Sequence, residues 1–263
     1  MLPPGLLTIT EVWDANLESA IEDMRNALEI TSFIAFDVEF PGALLKKRQF
    51  LFNHPQEAEW DYINNTLKHT QPIQFGFAFY GLDNEGQTQH INTWQVNFRF
   101  DEQKDVSNPE SIKFLKEHGF DFNKFLEHGV QISDFQQLFV NAGILGSPKI
   151  TWVFFHGNFD IAYLLKVCTN QWFNDVDSYL DTISKCLPFS IDVKVLIERY
   201  VIVESRGLQK LATELNVQIC KMKNAAHHAG FDAQVTFSCY ENICHRAYLP
   251  PEVFGQFLYL NIY

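Results

Sequence analysis

The chain has 263 residues, 46% of them hydrophobic and 20% charged, an ordinary globular balance with 25 phenylalanines available for a core. Its formal net charge of -12 excludes a protein that coats nucleic acid through a broad basic face, though not an enzyme that holds a short piece of it. No apolar run approaches the roughly 20 residues that span a bilayer. The five cysteines, Cys168, Cys186, Cys220, Cys239 and Cys244, contain no C-x-x-C pair, and the start of the chain lacks a secretory pattern, so the expected setting is the reducing cytoplasm or the nucleus.

In chain order, Thr8-Ile9-Thr10-Glu11 has capping-box spacing, and Val12, Leu17, Ile21, Met24 and Leu28 recur roughly on one face, which predicts a helix over 10–29. The run Phe33-Ile34-Ala35-Phe36-Asp37-Val38-Glu39-Phe40 ends at Pro41-Gly42 and reads as a buried strand. The following segment lacks a period and carries Lys46, Lys47 and Arg48, which read as solvated charge or as a grip on phosphate. Pro55 opens a helix to position 69. Strands over 73–80 and 91–100 form a hairpin around the turn Asp83-Asn84-Glu85-Gly86. Ser107-Asn108-Pro109-Glu110 is a second capping box, and short helices follow to about Ala142. Ile150-Thr151-Trp152-Val153-Phe154-Phe155 is continuously apolar and suits a strand covered on both faces, leading into a helix over 159–167. Helices over 178–186, 193–200, 207–215 and 229–248 complete the chain. No repeat, low-complexity tract or linker interrupts it, so the expectation is a single α/β domain with a mixed sheet flanked by helices.

The carboxylates carry the chemistry. Alternation puts Asp37 and Glu39 on one face of their strand, opposite Phe36 and Val38. Burying the two acids together costs several kcal/mol per ion unless a cation offsets it, and hard oxygen donors suit magnesium or manganese. Two acids reaching solvent at the strand's end would explain the tripeptide equally well. Asp160 in the first turn after the apolar strand, and His227, His228 and Asp232 at the start of the last helix, tilt the choice toward a metal site. Such a set suits phosphodiester hydrolysis with two divalent ions and a histidine as general base.

These segments resemble the motifs of the DEDD exonuclease superfamily, in the branch with a histidine five residues before the last aspartate. More narrowly they resemble the CCR-associated factor (Pop) family, through Asp37-Val38-Glu39-Phe40-Pro41-Gly42, Thr93-Trp94-Gln95-Val96-Asn97-Phe98, Phe155-His156 with Asp160 and Tyr163-Leu164-Leu165-Lys166, Asp192-Val193-Lys194 and Gly207-Leu208-Gln209. The resemblance covers nearly the whole chain. It implies a ribonuclease-H-like fold and a poly(A)-specific 3′-to-5′ exoribonuclease, the deadenylase subunit of the CCR-NOT complex, working beside a scaffold subunit and a second deadenylase. By motif position it implies two Mg2+ or Mn2+ ions on Asp37, Glu39, Asp160 and Asp232, Glu39 beside the attacked phosphate, and His227, rather than His228, as base. Phe40, Gln74, Phe75, Asn158 and Phe159 are the expected contacts to RNA.

The chain departs from the family pattern in three places. His156-Gly157-Asn158-Phe159-Asp160 stands for His-Ser-Gly-Tyr-Asp, Phe231 stands for a serine beside Asp232, and Ala225-Ala226 stands for Pro-Gln. An adaptor subunit with secondary activity and a DNA exonuclease are the competing readings. Intact acids count against the first, and the segments 94–98 and 192–194 against the second.

Overall fold

A computed structural model describes residues 8–44, 55–170, 173, 175–201, 203–204, 207–217, 226–246, 254–257 and 260–261. Lys46, Lys47, Arg48 and Ala225 lie outside the described residues. In chain order the elements are β1 (Ile9–Val12), α1 (Leu17–Ala27), β2 (Phe33–Glu39), α2 (Pro55–Leu67), β3 (Gln74–Leu82), β4 (Thr88–Asn97), α3 (Pro109–Glu117), α4 (Phe122–His128), α5 (Ile132–Asn141), β5 (Thr151–Phe154), α6 (Asn158–Thr169), α7 (Val176–Cys186), β6 (Ser190–Asp192), α8 (Val193–Arg199), α9 (Leu208–Glu214), α10 (Ala229–Arg246), and the short pair β7 (Gln256–Phe257) and β8 (Leu260–Asn261).

Six strands form one mixed sheet in the order β1-β4-β3-β2-β5-β6. The hairpin β3–β4 and the β2–β3 pair are antiparallel, while β1, β5 and β6 join in parallel. Helices cover both faces, the ribonuclease-H-like arrangement that the resemblance implies. The expected helix over 10–29 needs correction at its start. Residues 9–12 are an edge strand paired with β4, Ile9 opposite Thr93 and Val12 opposite Val96. Ile9, Thr10 and Val12 are β-branched and fit a pleated surface better than a helix. The chain turns through a 3-10 segment, with the Asn16 side chain accepting from Trp13 N at 2.8 Å, before α1 begins at Leu17. The second expected capping box is also displaced, since Asn108, not Ser107, caps α3 by accepting from Glu110 N. No sequence pattern predicts β6.

The two faces of the sheet differ in bulk. One is filled by rings: Phe36, Phe75, Phe77, Phe98, Trp152 and Phe154 are at most 2% exposed beneath α1, α5 and α6. Phe36 meets Phe77 at 4.9 Å and Phe75 meets Phe98 at 4.8 Å between ring centres. Each such buried ring stabilises the fold by about 2 kcal/mol. The other face offers small side chains, Ala35 opposite Ala78 and Gly76 opposite Asp37, so α10 lies directly on the central strands. A Cβ at Gly76 would stand 2.0 Å from the Ala229 carbonyl oxygen. That close approach brings the start of α10 onto the end of β2.

Candidate active site

β2 delivers Asp37 and Glu39 to the face that α10 covers. Ala35, two residues earlier, packs in the core beneath α10, and the two acids continue that row to the strand's end, where they become partly exposed. Past Glu39 the chain is drawn aside: Asn108 N donates to the Pro41 carbonyl, and Asn108 Nδ2 to that of Ala43. Gly42 adopts φ +82°, and a Cβ there would overlap Ser111.

Asp160 arrives from the next parallel strand. β5 pairs with β2, and the turn after it starts α6, whose first turn holds Asp160. The Asp160 carboxylate accepts from Val38 N at 2.9 Å, which ties α6 to the strand between its two acids. The turn itself is braced by Asp192, which caps α8 through Lys194 N (2.8 Å) and also accepts from His156 N (2.8 Å) and Gly157 N (3.0 Å). The bonds from His156 N and Gly157 N brace the turn in which His156 sits in the left-handed region, at φ 58°.

α10 supplies the last group. Asp232 is 7% exposed and accepts from Gln209 Nε2 at 2.7 Å and from His227 N at 3.2 Å. His227, at φ 66°, turns its ring toward the acids, and donor atoms of Glu39, His227 and Asp232 lie within 4.8 Å of one another. His228 goes elsewhere. Its Nε2 bonds to the His118 carbonyl at 3.0 Å and its ring stacks on Phe120 at 4.7 Å. His227 is flanked by the rings of Phe114 (4.8 Å) and His118 (4.5 Å).

The electrostatics follow from crowding acids in a low dielectric. Asp37 and Glu39 are held well above the usual carboxylate range, by burial first and then by the neighbouring acids Asp160 and Asp232. Burial pushes Asp160 up to about 8 against the Val38 hydrogen bond, and Asp232 up to about 7 against the bonds from His227 and Gln209. Burial, His118 and the neighbouring His228 lower His227, leaving it neutral at pH 7. None of the four acids forms an ion pair with a described lysine or arginine. Four hard carboxyl groups with no cationic side chain beside them, plus one imidazole, are a donor set that fits divalent magnesium or manganese.

The five expected RNA contacts divide. Phe75 is fully buried among Phe36, Phe98 and Phe135, and cannot reach a substrate. Gln74 is 1% exposed, donating to Asn97 and accepting from Ala229 N. Asn158 is 2% exposed and donates to Glu59 at 3.0 Å, joining α6 to α2. These three expectations are corrected: Phe75 is sealed in the ring core, and the buried amides of Gln74 and Asn158 are engaged in internal hydrogen bonds. Phe40 and Phe159 are partly exposed and stack on each other at 4.8 Å. The expectations do not include Gln209 and Asp192 as supports, although both lie in segments that carry the family resemblance.

A family model described as CAF1 family ribonuclease matches residues 12–138. The chain is 30% identical over 230 residues to the poly(A) ribonuclease pop2 of Schizosaccharomyces pombe, spanning 87% of this chain and 67% of the relative. It is 32% identical over 244 residues to probable CCR4-associated factor 1 homolog 7 of Arabidopsis thaliana, spanning 89% and 85%. The S. pombe Pop2p structure in its Mg2+ and Mn2+ bound form superposes with a TM-score of 0.85 at 28% identity, covering 96% of this chain and 99% of that one.

Proposed function

Because the chain belongs to the CAF1 ribonuclease family, we propose that it is a poly(A)-specific 3′-to-5′ exoribonuclease, an mRNA deadenylase that releases 5′-AMP. The observation that carries this reading is the convergence of Asp37, Glu39, Asp160 and Asp232 with His227 at the end of β2.

Asp37, Glu39, Asp160 and Asp232 are the residues that would hold two divalent ions, Mg2+ or Mn2+. Such ions, when bound, lower the pKa of an attacking water and stabilise the oxygen that departs. His227, neutral at pH 7, accepts the proton of that water, a role worth about 10²–10⁴-fold in rate. Glu39, within reach of both His227 and Asp232, is the acid that faces the attacked phosphate. Asp160 keeps its orientation through Val38 N, and Asp232 through Gln209. Phe40 and Phe159, partly exposed beside the second acid, are the candidates for stacking an adenine.

The relatives' names support a setting beside CCR4 in a CCR4-NOT-type complex, and a solved complex of a yeast NOT1 domain with CAF1 supports a scaffold subunit as partner; we read the chain as working there in the cytoplasm, with a share in the nucleus. No helix among the described residues is long and apolar enough to cross a membrane. We read residues 1–263 as one exonuclease domain.

The test uses the purified chain and its Asp37→Ala variant with magnesium and end-labelled RNA bearing an adenylate tail, RNA with a mixed tail, and a DNA counterpart. Stepwise shortening of the adenylate tail by the wild type alone is expected. Intact substrates at high enzyme concentration, or preference for DNA, would overturn the reading.

A further inference from the structure

A file of buried side-chain amides connects the start of α10 to the surface strand β1. At the helix, Ala229 N donates to Gln74 Oε1 (2.8 Å) and Gly230 N donates to Gln95 Oε1 (3.0 Å). Behind them, Gln74 Nε2 donates to Asn97 Oδ1 (2.7 Å). Asn97 Nδ2 then donates to Glu11 Oε2 (2.7 Å) and lies near the Val12 carbonyl (3.2 Å), while Gln95 Nε2 donates to Glu11 Oε1 (2.7 Å). Gln74, Gln95 and Asn97 are at most 3% exposed, whereas Glu11 lies at the surface.

The file has a polarity. A backbone N–H can only donate, so each amide beside it must present its oxygen to the helix and its NH2 away from it. Two such rows meeting at one point need a group that accepts twice and donates nothing. A carboxylate is that group, and Glu11 is where both rows end. Gly230 is small enough to admit the contact, since a Cβ there would stand 3.0 Å from Gln95 Oε1. His227 lies two residues before these two helix amides and Asp232 two residues after them, so the rows set where both groups point.

We propose that Glu11 is a positioning residue of the nuclease site, orienting the two amide rows that hold the first turn of α10 and with it His227 and Asp232. The proposal rests on the reading of these two residues as site groups.

Glu11→Gln puts an NH2 where two donors converge, so one donor loses its partner whichever way the amide turns. Gln95→Glu sets two carboxylates against each other. The double exchange, Glu11→Gln with Gln95→Glu, restores every bond: the carboxylate now at position 95 accepts from Gly230 N and from the amide now at position 11, whose oxygen accepts from Asn97. Amide hydrogen exchange at residues 229–230, Mn2+ affinity by calorimetry, and kcat and KM on adenylate-tailed RNA are measured well below the melting temperature. Each single variant is expected to exchange about tenfold faster at these amides, to bind Mn2+ more weakly, and to lose about tenfold in kcat with KM within about twofold; the double variant returns toward wild type in all three. Single variants with wild-type exchange, affinity and kcat overturn the proposal, as does a double variant worse than either single. A wild type without nuclease activity overturns the deadenylase reading instead, and exchange and Mn2+ affinity then judge the positioning alone.

Discussion

Replacing Asp160 by asparagine separates the cost of the site from its use. The buried carboxyl is pushed up to about 8, against ~3.9 in an unfolded chain, so between those values the folded state binds more protons than the unfolded one and stability falls as pH rises. At pH 7 the loss reaches up to about 4 kcal/mol, at ~1.4 kcal/mol per pH unit. Asparagine keeps an oxygen for the Val38 N–H, bonded at 2.9 Å in the wild type, and does not titrate. In chelator, therefore, Asp160→Asn should melt above the wild type at pH 7, by as much as roughly 8–16 °C, by more at pH 8, and close to it at pH 4. Its own decline with pH is shallower but not flat, because Asp37, Glu39 and Asp232 still titrate. Adding Mg2+ should raise the wild type at pH 8 and barely move the variant. Thermal melts by circular dichroism from pH 4 to 8, with and without metal, make the measurement. Parallel wild-type and variant curves in chelator would refute the reasoning.

The two histidines should separate by assay. His227→Ala is expected to lose about 10²–10⁴-fold in kcat, whereas His228→Ala, losing its bond to the His118 carbonyl and its stack on Phe120, should lower the melting temperature more than the rate; equal rate losses would reverse the assignment. Gly76→Ala places a Cβ 2.0 Å from the Ala229 carbonyl, so α10 must lift, and thermal melts should show a loss of about 1–3 kcal/mol or more together with reduced activity. Gln209→Leu removes the 2.7 Å donor to Asp232 and should weaken Mn2+ binding about 10–100-fold by calorimetry, with little change in the circular dichroism spectrum.

What can be read from the sequence follows from signal length. β2 announces itself because an apolar run, Phe33 to Phe36, leads into Asp37-Val38-Glu39, and the start of α10 because His227, Ala229, Gly230 and Asp232 form one motif of a histidine, two small residues and an acid. β1 and β6 are four and three residues long, too short for a period to register, and each is fixed in the sheet by a parallel neighbour, β4 and β5. Gln74 and Asn158 look like RNA contacts for a related reason. A polar residue beside a motif looks available until the helix that covers it is known, and no local pattern says that Gly76 lets α10 settle on the sheet.

The departures from the family pattern also take on physical meaning. Phe231 stands next to Asp232 in sequence, yet one residue along a helix turns the side chain by about 100°, and Phe231 is 6% exposed in the core under α10. Its bulk is spent on packing behind the site. In the second motif, Asn158 ties α6 to α2 through Glu59, and Phe159 stacks on Phe40 while meeting Tyr62 at 5.6 Å. Those contacts bind the turn carrying Asp160 to elements that the acids themselves do not hold. Four carboxyl groups crowded together repel one another as they ionise without a cation between them, so neutral donors, Val38 N, Gln209 and His227 N, and the rings packed behind the site hold it together. Phe231 and Phe159, packed away from the acid face, reinforce that closure without touching the chemistry.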